Sequence, residues 1–393
     1  MLPHPCCAAH PWAGEAGVLE TGQGPLHTFG YLRDGPRGPF VAYARGPAYG
    51  RRPAHGGALL HGTAADVDRA HAGRKAVLEL LERGCAFLRP RAPLRYGSPR
   101  ELGSLDADHG TGTRTDTDIK ADADASDTPR WWVEARSLCD DRIRHVDADR
   151  YVLASCGGRG DSTGLAVARD LAGAVGHGLR EAVERDAVRA MTEGRLPVRA
   201  CAADTPYADA LRRDGWRVEA VRTTHLGFPV AVCAATRASG PTVGGSAAGT
   251  RPVHAVESAT AEAFMKSLAW VARSEGARGV TRTGGGRRAV RGPGAGAMTR
   301  GPGTGRPVSL RAAGVHGFRL SEAVVFGEPP EPLTGGPARV LAAAGGDAVL
   351  VDRGNPLLDA LGLRATHVLL RLPPPSPLPP HAQRDRRLEE LLR

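Results

Sequence analysis

The sequence predicts a mixed α/β fold in which two Glu-rich helices converge on one cleft. Two observations predict the helices. The stretches Lys75 to Arg83 and His177 to Arg185 each end in Glu-x-x-Glu-Arg, 102 residues apart. Each is embedded in apolar and small residues that recur at roughly helical spacing. The strands rest on a third observation, a string of short motifs running, with gaps, from about residue 40 to about residue 378.

In the first stretch Thr63 reads as the N-cap, and Val67, Ala70, Val77, Leu78 and Leu81 follow with helical recurrence. In the second, Asp170 reads as the cap. Leu171, Ala174, Val175, Gly178, Leu179 and Ala182 form a stripe rich in small residues, which lets a neighbouring backbone come close. Lys75, Glu79 and Glu82 share one face, as do His177, Glu181 and Glu184. Positions i and i+3 of a helix meet on one side, so each copy presents a carboxylate pair. Four converging carboxylates would suit a hard cation, which prefers oxygen ligands. The alternative is two solvated faces laced by i,i+4 ion pairs, each contributing a few tenths of a kcal/mol. His177 stands one turn before Glu181, either as a further metal ligand or as a packed or capped side chain.

The second stretch sits in a longer string: Asp161-Ser162-Thr163-Gly164-Leu165-Ala166, then Glu181-x-x-Glu184-Arg185-Asp186-Ala187. This string resembles the central motif of the YcaO family. The first stretch is similar to that family's earlier "A-x-x-K-A-x-x-E-x-x-E-R" helix. Trp132 to Leu138 resembles the strand entering the middle of the domain, and Leu226-Gly227-Phe228-Pro229-Val230 the strand after the central helix. Gly244 to Ala248, followed by Ala259-x-x-Glu262-Ala263, resembles the third helix region. Asp347 to Val351 and His367 to Leu370 fit the closing strands.

The resemblance implies an enzyme that uses ATP and Mg2+ to phosphorylate the oxygen of a peptide amide, which a nucleophile then replaces. It implies that Glu79, Glu82, Glu181 and Glu184 hold Mg2+. It places Ser162, Thr163, Arg185, His61 and Lys266 at the nucleotide, and it leaves the catalytic residue unassigned. Azoline formation from Cys, Ser or Thr of a ribosomally made precursor peptide is the first expectation, with thioamide or amidine formation as other branches. A family member without ATP turnover, acting as a scaffold or peptide-binding subunit, is a second class. A metal-dependent hydrolase ranks last, for want of an evident nucleophile or His cluster. A precursor peptide and a separate leader-peptide-binding protein are the expected partners, and a homodimer stays open.

Three departures from the family pattern stand out. His61 occupies the place of a Lys in the usual Ser-x-Gly-Lys-Gly segment, and a neutral imidazole is a weaker phosphate partner. The third helix has Met265 where Gln is usual, and Lys266 follows, either contacting phosphate or pairing with Glu262 at i+4. The proline run Pro373 to Pro380 is followed by thirteen more residues, so it reads as following the last strand and not as an active-site tail.

Residues 1–40 read as an N-terminal extension, 41–380 as the domain and 381–393 as a charged tail. Two low-complexity loops interrupt the domain: 104–129, with seven Asp, and 276–306, with eleven Gly, seven Arg and no aromatic residue. Neither can bury enough apolar surface to order itself. Trp131 and Trp132 are expected to pack in the core. The chain is basic, with a net charge of +10, but only Lys75, Lys120 and Lys266 are lysines. An Arg excess among abundant Ala and Gly fits a codon bias, so no nucleic-acid partner is inferred. No run of eighteen apolar residues, no secretory signal and no C-x-x-C is present, so a cytoplasmic chain free of membrane spans is expected.

Overall fold

The computed structural model describes residues 28–33, 38–47, 59–86, 88, 90–98, 101–102, 129–148, 162–238, 240–282 and 337–373. Within them, three antiparallel sheets and six helices alternate. Strands β1 (Thr28–Arg33), β2 (Phe40–Pro47) and β3 (Leu59–Asp66) form a sheet in that order. Strands β8 (Arg199–Cys201), β9 (Arg217–His225), β10 (Phe228–Thr236) and β11 (Thr242–Ala248) form a second, ordered β11-β10-β9-β8. The third holds β4 (Leu94–Gly97), β5 (Arg130–Ser137), β7 (Leu165–Ala168), β12 (Asp347–Asp352) and β13 (Arg364–Arg371), in the order β4-β5-β12-β13-β7. Its sixth strand, β6 (Ile143–Asp147), pairs with β5.

The long helices are α1 (Arg69–Cys85), α2 (Leu171–Thr192) and α4 (Pro252–Arg282), each entered from a strand. The short ones are α3 (Pro206–Arg213), α5 (Pro337–Ala343) and α6 (Pro356–Ala360). The Asp170 side chain caps α2 as expected, accepting from the Gly173 N–H at 2.7 Å. Thr63, by contrast, is not a cap; it lies inside β3, and Asp68 caps α1 by accepting from the His71 N–H at 2.7 Å. The run of small residues Gly62, Ala64 and Ala65 carries no clear period, so a strand followed by a helix reads like one longer helix.

The first sheet is covered on both faces. Ala42, Ala44 and Ala64 pack against Ala72, Ala76, Val77 and Leu80 of α1. Val41 and Ala65 point the other way, into a cluster with Tyr207 and Leu211 of α3 and Ala259 and Phe264 of α4. Helix α2 sets Val175, Leu179 and Val183 against Val368 and Leu370 of the third sheet and Phe228 of the second. The β9–β10 hairpin turns at Leu226-Gly227, both at positive φ (49° and 80°), the mirror-image turn that matches strand twist.

Trp132 is fully buried and donates from Nε1 to the Gly97 carbonyl at 2.9 Å. Trp131 is 45% exposed and lies against Tyr96, so the expectation of two core tryptophans holds for one. Adjacent residues of a strand face opposite sides, so only one could enter the core. Strand β1 comes from within residues 1–40 and pairs along its length with β2. Helix α4 runs past the start of the Gly/Arg-rich segment to Arg282, and Pro373 follows β13. The remainder of that segment, residues 104–128 and the tail 381–393 lie outside the described residues. Among those described, no helix is long and apolar enough to cross a membrane.

Candidate functional site

Three strand-to-helix units build the site, and they share one local design. In each, a glycine near the strand lets the helix backbone come into contact. A methyl group at Gly62 would collide with the Ala76 carbonyl and the Leu80 nitrogen; one at Gly245 would collide with the Ala259 carbonyl and the Ala263 nitrogen. In the middle unit Gly164, at φ +85°, presses on Gly178 of α2 and on the Val368 carbonyl. Seventeen residues after each glycine stands a glutamate: Glu79, Glu181 and Glu262. Each reaches back to a backbone N–H of its own strand or the turn entering it. Glu79 accepts from Thr63 at 2.7 Å, Glu181 from Gly164 at 3.2 Å and Glu262 from Ser246 at 2.8 Å.

One helical turn further on, each glutamate meets a cation. Arg83 pairs with Glu79 at 2.6 Å, Arg185 lies 3.9 Å from Glu181, and Lys266 pairs with Glu262 at 2.9 Å. Of the two alternatives for Lys266, the i+4 ion pair is the one formed here. Arg185 also lies 3.8 Å from Glu184, bridging both carboxylates of α2.

The second carboxylate of α1 and of α2 reaches across to the following unit. Glu82 faces the backbone N–H of Val167 in β7, which pulls its pKa down slightly. Glu184 accepts from the Ser246 hydroxyl at 2.6 Å, next to β11's hold on Glu262. In α4 the corresponding position is Met265, which packs against the core beside Phe264.

These contacts draw Glu79, Glu82, Glu181, Glu184 and Glu262 into mutual electrostatic range. Burial raises the Glu82 pKa well above the ordinary carboxylate value, and Glu181 and Glu79 add to it. Burial pushes Glu184 up to about 7, against the pull of Arg185 and Ser246 and with the help of Glu262 and Glu181. Glu79 is raised by burial, offset by Arg83 and the Thr63 N–H, and raised further by Glu262. Among the described residues, no three His, Cys, Asp or Glu side chains already close around a single ion. The carboxylates are turned instead toward N–H groups and cations. The set nevertheless fits Mg2+: all its donors are oxygen, and the crowded negative charge is the kind a hard divalent cation relieves.

The other predicted residues flank this row. Ser162 is exposed and Thr163 half-buried on the turn before Gly164, and the Thr163 carbonyl lies 2.9 Å from Nε2 of the buried His367. His61 is exposed on β3. Its pKa is lowered by burial and by the nearby Arg45 and Arg83, so its ring stays neutral. His177 is exposed on α2, and the positive charges of Arg180 and Lys75 nearby lower its pKa. Sequence reasoning assigned Lys266 to the site but not Glu262 or Ser246. The signal that finds them is the seventeen-residue interval from Gly245, the same as from Gly62 and Gly164. It also missed the Asp186–His225 contact at 2.7 Å, which, with Arg189, ties the ERDA segment of α2 to the end of β9.

A family model described as YcaO cyclodehydratase, ATP- and Mg2+-binding, matches residues 62–313. The fold is similar to a heterocyclase solved in complex with substrate and cofactor, at 16% identity and TM-score 0.61. That likeness covers 90% of this chain and 51% of the heterocyclase, so the chain spans about half of that protein's length. It is also similar to YcaO from Methanopyrus kandleri bound with AMPPCP and Mg2+, at 19% identity and TM-score 0.56, covering 90% of this chain and 91% of the other. At these identities the two structures show the fold. No curated protein matches the sequence.

Proposed function

The chain belongs to the YcaO family, described as ATP- and Mg2+-binding cyclodehydratases, and from that premise we propose that it converts Cys, Ser or Thr of a precursor peptide into azolines. The observation that carries the reading is the crowded row of carboxylates Glu79, Glu82, Glu181 and Glu184, joined by Glu262. When bound, ATP supplies the phosphoryl group that turns an amide oxygen into a leaving group, and Mg2+ neutralises the charge of that transfer. The chain's own part is alignment. Two helices present Glu79 with Glu82 and Glu181 with Glu184 as metal ligands at fixed spacing. Arg185, one turn from Glu181, and Lys266, one turn from Glu262, can exchange their carboxylates for phosphate oxygens. Ser162 and Thr163 offer hydroxyls on the turn held by Glu181.

The substrate's side-chain nucleophile adds to the activated carbonyl carbon, and the former amide oxygen departs as phosphate, leaving the ring. A separate leader-binding protein would present the peptide. The test is incubation with precursor peptide, partner and Mg-ATP. The peptide should lose one water per ring, with ADP and phosphate released. Unchanged mass with no ADP would sink the reading. Exchange of oxygen for sulfur, with a sulfur donor present, would assign the thioamide branch. A scaffold without turnover is the second reading, favoured by His61 and Met265, which stand where Lys and Gln are usual.

A further inference from the structure

The loss of a lysine at position 61 leaves a gap in the charge of a phosphate site, and the strand beside it shows what fills that gap. Strands β2 and β3 pair antiparallel, with Arg45 directly opposite His61 and Tyr43 opposite Thr63. Directly opposed residues stand side by side on one face, with Cβ atoms about 5 Å apart. Gly62 backs onto α1, so by strand alternation His61 and Thr63 lie on the sheet's other face, with Arg45 and Tyr43. That is the face on which α4 packs. Thr63 is also the residue whose N–H holds Glu79.

Arg45 is half-buried, and its Nε is buried with no hydrogen-bond partner among the described residues. A buried, unpartnered guanidinium nitrogen is costly unless something occupies it. Around it stand His61, held neutral, and Arg83, already paired with Glu79. Arg45 is therefore the permanent cation of this corner that no described carboxylate takes up. A guanidinium offers phosphate a planar fork of donors that imidazole cannot match.

We propose that Arg45 is a phosphate-binding residue of the nucleotide site, supplying from β2 the charge that His61 does not supply from β3. The assignment rests on the Mg-ATP reading of the cleft. It makes the histidine a compensated substitution and not a sign of a dead site.

Calorimetry of the full chain with Mg2+ and a non-hydrolysable ATP analogue tests it, with the thermal midpoint as the check on folding. Arg45→Gln should weaken analogue binding by about tenfold or more, as expected for a lost charge-assisted contact. Arg45→Lys should keep most of the affinity. In the Arg45→Gln background, His61→Lys should recover it, because the charge returns to the same corner from the neighbouring strand. Unchanged affinity in Arg45→Gln would overturn the assignment and leave the Mg-ATP reading standing. So would a loss that neither lysine variant recovers while both remain folded. A wild-type chain that takes up no analogue would remove the Mg-ATP reading itself and the assignment with it.

Discussion

Helices α1 and α2 each carry two carboxylates into the crowded row, and α4 carries one. All three begin from a glycine pressed to the helix, and all three hold a first glutamate on their own strand or entering turn with a cation one turn on. They differ in the second position: Glu82 faces β7, Glu184 bonds to β11, and Met265 turns to the core. The first glutamate thus does the same local work in every unit, tying helix to strand. The second hands each unit on to the next and makes the negative charge dense. The pKa is raised most at Glu82 and Glu184 of that second group, with Glu79 raised less, and the series ends at α4.

The sharpest break of this comparison is to remove one second-position carboxylate. Glu184→Gln should weaken Mg-dependent ATP binding by about 100-fold, from the several kcal/mol that a bound metal contributes. Glu262→Gln should cost less in Mg2+ dependence, because α4 has no second ligand to lose with it. Calorimetry over a Mg2+ series separates the two. Equal losses would mean that the two positions are not different in kind.

The same comparison marks what the sequence alone reveals. The paired glutamates of α1 and α2 are legible because a repeated Glu-x-x-Glu-Arg is dense in information. The third unit shares only a glycine, a glutamate and a cation across seventeen and four residues, and it has Met265 in the telling position. Its equivalence emerges once Gly245 and Gly62 are seen to touch their helices in the same way. Asp170 is readable as a cap because an apolar stripe starts beside it. Asp68 is not, because small residues of β3 run on without a clear period into α1. Arg45 is invisible along the chain: its meaning depends on the β2–β3 register, which pairs it with His61.

Next in size is the glycine contact. Gly62→Ala and Gly245→Ala should each destabilise by about 2 kcal/mol, the range for forcing a methyl into packed backbone. Denaturant unfolding should show similar losses for the two, since both meet helix backbone at equivalent places. A neutral change at either would show that this unit has room the other lacks.

The titration of Glu184 gives a smaller effect with a definite sign. Its folded pKa of about 7 lies above the ordinary 4.5, so the folded chain holds an extra proton between those values. The contribution is complete below the unfolded pKa and is lost as pH rises through the folded one. Relative to Glu184→Gln, the metal-free protein should therefore lose about 3 kcal/mol between pH 4.5 and pH 7.5. Mg2+ should cancel the loss by giving the carboxylate a cation. Thermal midpoints across that pH range, with and without Mg2+, provide the check. A midpoint difference between the two proteins that does not vary with pH would place Glu184 outside the crowded charge.

The smallest expected effect is also the most direct test of the three-unit design. Met265→Glu gives α4 the second carboxylate that α1 and α2 have. Met265 is only partly buried against the core, so the change should cost about 1 kcal/mol of packing. Lys266 and Glu262 stand one turn apart on the helix and are already paired, so the new carboxylate enters beside one cation and one like charge. If the units are equivalent, its side chain can leave the core for the cleft, and the Mg2+ concentration for half-maximal ATP binding should fall severalfold as the ligand charge rises. The variant should also steepen the loss of metal-free stability with pH, because a further carboxylate joins Glu79, Glu184 and Glu262. An unaltered Mg2+ requirement in a folded variant would show that α4 is set back from the other two helices, and that its single glutamate serves the strand and not the metal.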